Sequence, residues 1–147
     1  MSSRGRRPES VLVVVHTVDG LALLLERAAP RGFWQSVTGA LEWGETPALA
    51  ATREVREETG LGATGLRDGA YSQSFPILPA WRDRYAPDVH TNIEHVWYLE
   101  LPEVTPVTLN PDEHIDYAWL ALTDALARAS SWTNRDALRR LIDTKRR

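Results

Sequence analysis

The chain has 147 residues, 43% of them hydrophobic and 25% charged, which is the ordinary composition of one globular domain. It holds no cysteine, which excludes a disulfide scaffold, a thiolate zinc site, an iron–sulfur cluster and a cysteine nucleophile, and fits a reducing compartment. Seventeen Lys and Arg against twenty Asp and Glu give a net charge of -3, which argues against a dedicated nucleic-acid binder, whose affinity rests on a basic surface.

Along the chain, residues 1–8 read as a loose leader and the rest as a single domain. The basic stretches Arg4 to Arg7 and Lys145 to Arg147 read as solvated tails. The apolar run Val11 to Val15 is far shorter than the roughly 20 residues of a membrane-spanning helix, and short for a signal-peptide core. The expectation is a soluble, cytoplasmic protein with no membrane partner. Residues 10–17 and 21–27 are β-type runs joined by Val18-Asp19-Gly20, a hairpin turn in which Asp-Gly supplies positive φ angles. Residues 28–32 hold Pro30 and Gly32 and form a loop; residues 34–41 are a strand running into a loop.

Residues 46–59 carry the strongest helix signal: Thr46 as cap, Pro47 at the first helical position and Gly60 as the stop. A further strand lies within residues 65–75, and residues 76–90 are a loop with prolines at 76, 79 and 87. Residues 94–101 form a strand, 102–111 a loop and 117–120 a short strand. Residues 134–143 form an amphipathic helix with Leu138, Leu141 and Ile142 on one side. There is no internal repeat. Strands and helices interleave without a βαβ rhythm, which predicts an α/β fold with one mixed sheet flanked by helices.

The chemistry concentrates in residues 39–61. At 3.6 residues per turn, Glu54, Glu57 and Glu58 share one helix face, while Ala48, Thr52, Val55 and Thr59 fall on roughly the opposite side and are expected to pack on the sheet. Three carboxylates in the last turns oppose one another and the helix dipole. Arg53 can pair with Glu57 four residues on, and a hard divalent cation is the stronger remedy, since Mg²⁺ and Mn²⁺ accept the same oxygen ligands. On the helix alone, a solvated acidic face remains an open alternative.

The spacing around the helix carries more. Gly39, five residues, Glu45, seven residues, Arg53-Glu54-Val55, one residue, Glu57-Glu58, one residue and Gly60-Leu61 match the Nudix box at every specified position. The chain therefore resembles the Nudix hydrolases. The resemblance implies an α/β/α sandwich and Mg²⁺- or Mn²⁺-dependent cleavage of a nucleoside diphosphate linked to another moiety. It implies that Glu54, Glu57, Glu58 and the Gly39 carbonyl hold metal, that Arg53 acts in catalysis, and that Arg53 and Glu45 orient the loop and helix, with Gly60 closing the box. A catalytically silent Nudix module is the competing class, but such modules typically lose box glutamates and this chain keeps them all.

Outside the box, Phe33 to Gly39, Arg84-Tyr85-Ala86-Pro87, Asn92 with Glu94, Asp112-Glu113-His114, and Ser131-Trp132 with Asn134-Arg135 resemble, in order, the bacterial dihydroneopterin triphosphate diphosphatases of folate synthesis. That group also cleaves deoxynucleoside triphosphates such as dATP to the monophosphate and pyrophosphate. A small-molecule triphosphate is the implied partner; oligomeric state is not legible. The likeness makes Glu113 an additional metal ligand or a helper in deprotonating water. The residues themselves suggest a stacking face at Trp34, ring-edge donors and acceptors at Gln35 and Ser36, and phosphate contacts from Arg27 and from Arg82, Arg84 and Tyr85 in a lid-like loop. Each of these also reads as an ordinary core or surface residue. His16, His90, His95 and His114 show no metal-ligand spacing and read as structural or exposed. Pro76, fifteen residues past Leu61, is a position associated with ADP-ribose-hydrolysing Nudix enzymes and supplies the alternative substrate.

Overall fold

The run Val11 to Val15 is buried on both faces because its strand lies at the centre of the sheet. In the computed structural model, which describes residues 5–146, that strand is β1 (Glu9–Thr17). It pairs in parallel with β6 (Thr91–Leu101), from Glu9 opposite Ile93 to Thr17 opposite Leu101. The other edge of β1 is shared: β4 (Val37–Ala40) runs antiparallel along its first half, and β2 (Leu21–Arg27) meets it at His16 and Ala22. β3 (Trp34–Gln35) and β7 (His114–Ala121) pair with β2, and β5 (Leu66–Pro76) closes the far edge on β6, giving a seven-stranded mixed sheet.

Alternation along the strands divides the interior into two layers. Val11, Val13 and Val15, with Leu23, Leu25, Val37 and Leu99, pack under Ala50, Ala51 and Val55 of α1 (Pro47–Thr59). Leu12, Val14, Leu24, Val96 and Tyr98 pack against Leu122 and Ala125 of α2 (Leu122–Arg128) and Ala137, Leu138 and Leu141 of α3 (Trp132–Lys145). The result is the α/β/α sandwich expected from the sequence. Among the described residues no helix is long and apolar enough to cross a membrane.

α1 follows its local signals: Thr46 Oγ1 accepts from the Leu49 amide at 3.3 Å, and Gly60 takes a left-handed φ of 75° as the stop. Its packing face differs from the expected one. Ala50, Ala51, Val55, Glu58 and Thr59 are buried, whereas Ala48 is exposed and Thr52 only half-buried. The sheet-facing side thus includes an acidic residue, because the helix ends over polar ground. At the β1–β2 turn only Gly20 has positive φ, at 93°. Strands β6 and β7 and helix α3 run longer than expected, and β5 ends one residue beyond its expected span. Helix α2 and a 3₁₀ turn over Pro79–Arg84 are additional. α2 has two turns and no side-chain cap, so its stability comes from burying Leu122 and Ala125, which no local signal announces.

Candidate active site

The loop from β4 into α1 is tied down by Arg53. Its guanidinium donates to the Glu45 carboxylate, to Glu54 Oε1 at 2.6 Å, to the Ala40 carbonyl at 3.1 Å and to Glu57 Oε2 at 3.2 Å. These acceptors raise the Arg53 pKa, Glu45 first among them, and Arg53 in turn holds Glu45 below the usual carboxylate range. Gly39 on β4 lies against Glu54 so closely that a Cβ there would collide with the carboxyl group.

The three box glutamates part company. Glu58 is 1% exposed, and neither of its carboxyl oxygens has a hydrogen-bond partner. Glu54 is largely buried beside it, whereas the Glu57 side chain is 56% exposed and outside the cavity lining. Burial pushes the Glu54 and Glu58 carboxyls up, Glu58 furthest, and neighbouring Glu54 and Glu113 push Glu58 in the same direction. Two such groups in one dry place cannot both ionise unless a cation joins them.

Glu54, Glu58 and Glu113, with Glu42 and Asp112, line a cavity of about 720 Å³ together with Arg6, Arg7, Arg27, Arg53 and Arg84. Burial lowers the Arg27 pKa, and the charges of Arg84 and Arg6 add to that. Arg27 is fixed by a 2.9 Å bond from Nε to the Ala29 carbonyl, and its guanidinium lies 5.4 Å from the Trp81 ring centre in the 3₁₀ turn. The backbone of residues 5–8 straps the cavity. The Arg6 amide donates to the Arg84 carbonyl at 2.7 Å, the Trp43 indole donates to the Gly5 carbonyl at 2.9 Å, and Arg7 reaches the Glu42 and Glu45 carbonyls at 2.9 Å each. Residues 1–4 of the expected leader, and Arg147 of the basic tail, lie outside the described residues.

The remaining expected residues divide by sheet face. Gln35 is buried in the cavity wall, its Nε2 3.4 Å from His114 Nε2. His114 Nε2 lies 3.7 Å from Glu58 Oε1, and burial lowers the His114 pKa to about 4. His114 is therefore a neutral part of the site's wall, where the sequence placed it among structural or exposed histidines. Trp34 packs on the opposite face, against the α2–α3 layer, with the Arg128 guanidinium 5.1 Å from its ring centre. Ser36 is held by Asn134: its amide gives to Asn134 Oδ1 at 2.7 Å and its Oγ accepts from Asn134 Nδ2 at 2.9 Å. The alternation of a strand puts Trp34 and Ser36 on the α3 face and Gln35 on the α1 face, so of the three only Gln35 lines this cavity. Tyr85 bridges Gly5 and, like Arg82, lines a separate recess of about 520 Å³.

The donor set suits a hard divalent ion. Among the described residues no three acidic or histidine side chains converge on one point. The pair Glu54 and Glu58 beside the Gly39 backbone matches the habit of Mg²⁺, which takes one or two carboxylates and keeps several waters. The orphaned oxygens of Glu58 are the observation that asks for a cation.

A family model of the NUDIX domain matches residues 6–141. This chain belongs to the Nudix family. It is 39% identical over 142 residues to the dihydroneopterin triphosphate diphosphatase of Escherichia coli strain K12, covering 93% of each chain. It is 37% identical over 145 residues to the enzyme of that name from Haemophilus influenzae, covering 95% of this chain and 90% of the other. A solved structure of the E. coli dihydroneopterin triphosphate pyrophosphohydrolase superimposes with a TM-score of 0.87 at 38% identity, over 96% of this chain and 99% of that one. Nudix hydrolases generally use divalent metal ions, in keeping with the donor set found in this Nudix chain.

Proposed function

We propose that the chain is a Mg²⁺-dependent pyrophosphohydrolase that cleaves dihydroneopterin triphosphate, and dATP-like nucleoside triphosphates, to the monophosphate and pyrophosphate. The buried, unpartnered Glu58 beside Glu54, in one cavity with Arg6, Arg27 and Arg84, carries the reading. A triphosphate is the ligand that needs both kinds of group at once: arginines for its oxygens and metal-loaded carboxylates for its charge. The likeness to two diphosphatases of that name supports the substrate.

In this reading Glu54, Glu58 and the Gly39 carbonyl hold the metal. Once bound, the metal neutralises phosphate charge and lowers the pKa of bound water. Glu57, on the rim, would be a further metal ligand, and Arg53 holds Glu54 and Glu57 in place. Glu113, exposed across the cavity, accepts a proton from the attacking water. Arg27 and Arg84 bind the terminal phosphates, with Arg27 braced on Trp81. Gln35 and the neutral His114 keep the wall beside Glu58 free of a competing cation.

The test is pyrophosphate release with Mg²⁺ from dihydroneopterin triphosphate, dATP and ADP-ribose at matched concentrations. Pyrophosphate from the pterin, with weaker release from dATP, is the expected result. AMP formed from ADP-ribose instead would move the substrate to that alternative, and no turnover of any of the three would overturn the proposal.

A further inference from the structure

Away from the box, one more carboxyl is buried without a counter-charge. Glu94 on β6 is 5% exposed, and its Oε1 has no hydrogen-bond partner. Burial raises its pKa to about 7, and only the Thr133 hydroxyl draws it back. A buried acceptor with nothing to accept is costly and asks for an explanation.

The strand register places Glu94 two strands from the cavity wall. Ala40 of β4, in the cavity wall, stands opposite Ser10 of β1; Ser10 stands beside Glu94 of β6; Glu94 stands opposite Gln73 of β5. The four side chains form one row across the α3 face of the sheet. Neighbouring strands are about 4.8 Å apart, so Glu94 stands about 10 Å from Ala40 across the small side chain of Ser10, about the length of a fused two-ring heterocycle. Farther along the same face the residues are apolar: Leu12, Val14, Val96 and Tyr98. At the row they turn polar, and two of them are tied to other partners. Asn92 Nδ2 gives to Ser10 Oγ at 2.8 Å, and Gln73 Nε2 gives to the Thr133 carbonyl at 3.2 Å. Glu94 Oε1 is the acceptor left over.

We propose that Glu94 sets the specificity for the heterocycle: its carboxylate accepts from the ring N–H and exocyclic amine that pterin and guanine carry side by side. This rests on the triphosphate hydrolysis proposed above. A carboxylate can only accept and so suits an edge of donors, whereas an adenine edge offers one donor and one acceptor. A site built around a hydrogen bond rejects the analogue that lacks it, because its own group is left buried and unpaired.

The test compares kcat/KM for dihydroneopterin triphosphate against its 2-deamino counterpart, and for dGTP against dITP, which differs only by the missing amine. The wild-type chain is expected to prefer the amino form about 10- to 100-fold in each pair. Glu94→Gln is expected to reduce that preference to within about threefold and to favour dATP, while keeping its melting temperature and its affinity for pyrophosphate with Mg²⁺. Equal turnover of amino and deamino forms by the wild type, or a preference surviving in Glu94→Gln, would overturn the assignment. If Glu94→Gln does not fold, the wild-type pairs decide alone. A wild type that cleaves none of these triphosphates would instead remove the proposed function, and this inference with it.

Discussion

Arg53 meets Glu45 as a two-pronged pair, Nε to Oε2 and Nη2 to Oε1, each at 2.8 Å. The same guanidinium reaches Glu54 through its remaining nitrogen, so one planar group sets the distance between the loop before α1 and the carboxyl beside Gly39. Lysine keeps the charge and loses the fork. Arg53→Lys is therefore expected to lower kcat about 100-fold, the scale of an ångström's misplacement, while the melting temperature changes little. Steady-state kinetics with a thermal melt check it; a kcat within threefold of wild type would mean that the fork does not position Glu54.

Glu58 gives a prediction of opposite sign in two conditions. In metal-free protein its buried carboxyl has no partner, so Glu58→Gln is expected to leave stability unchanged or higher. A ligand at 100 times its Kd stabilises by about 2.7 kcal/mol, and that Mg²⁺-dependent gain is expected to vanish in Glu58→Gln along with turnover. Melting curves with EDTA and with Mg²⁺ read both. A variant that keeps the full Mg²⁺ gain would place the ion elsewhere.

Much of this site was readable in the sequence because its signals are local. Thr46, Pro47 and Gly60 bound α1 by cap chemistry alone, and the spacing from Gly39 to Leu61 fixes which acids and which arginine share the loop and helix. What the helix faces depends on the sheet beneath it. Spacing groups Glu54, Glu57 and Glu58 together, but contact with the sheet separates buried Glu58 from exposed Glu57. Ser36 reads as a free hydroxyl until Asn134, 98 residues away, is seen to occupy it. Arg6 and Arg7 read as part of a solvated tail, and only the pairing of Gly5 with Tyr85 brings them over the cavity. Long-range partners carry no period or cap.

That strap depends on Gly5. Its φ is 62°, and a Cβ there would lie 2.9 Å from the Arg84 carbonyl oxygen and the Tyr85 carbonyl carbon. Gly5→Ala is thus expected to lift the strap from residues 84 and 85 and loosen Arg6 and Arg84 together. The expected result is a KM for triphosphates raised about 10-fold, roughly one charge-assisted contact, with kcat within a factor of two. An unchanged KM would show that the strap does not order the arginines.

His16 makes stability depend on pH in a direction that can be worked out. It is 3% exposed at the far end of β1, its Nδ1 has no hydrogen-bond partner, and its ring meets Tyr98 edge-on at 6.3 Å between centres. Burial lowers its pKa from 6.5 to about 4. The unfolded chain therefore takes up a proton below about pH 6.5 that the folded chain refuses until about pH 4, and stability falls as pH falls through that window. Between pH 7 and pH 5 the loss amounts to about 2 kcal/mol. Glu94 acts in the opposite sense: with its pKa raised to about 7, the folded state holds the extra proton and stability falls as pH rises from 4.5 to 7. His16→Gln removes the histidine's contribution and leaves that of Glu94. Its urea-unfolding free energy is expected to fall by about 2 kcal/mol less than that of wild type on going from pH 7 to pH 5. Equal changes in the two proteins would mean that His16 titrates alike folded and unfolded, and that its ring is not held dry against Tyr98.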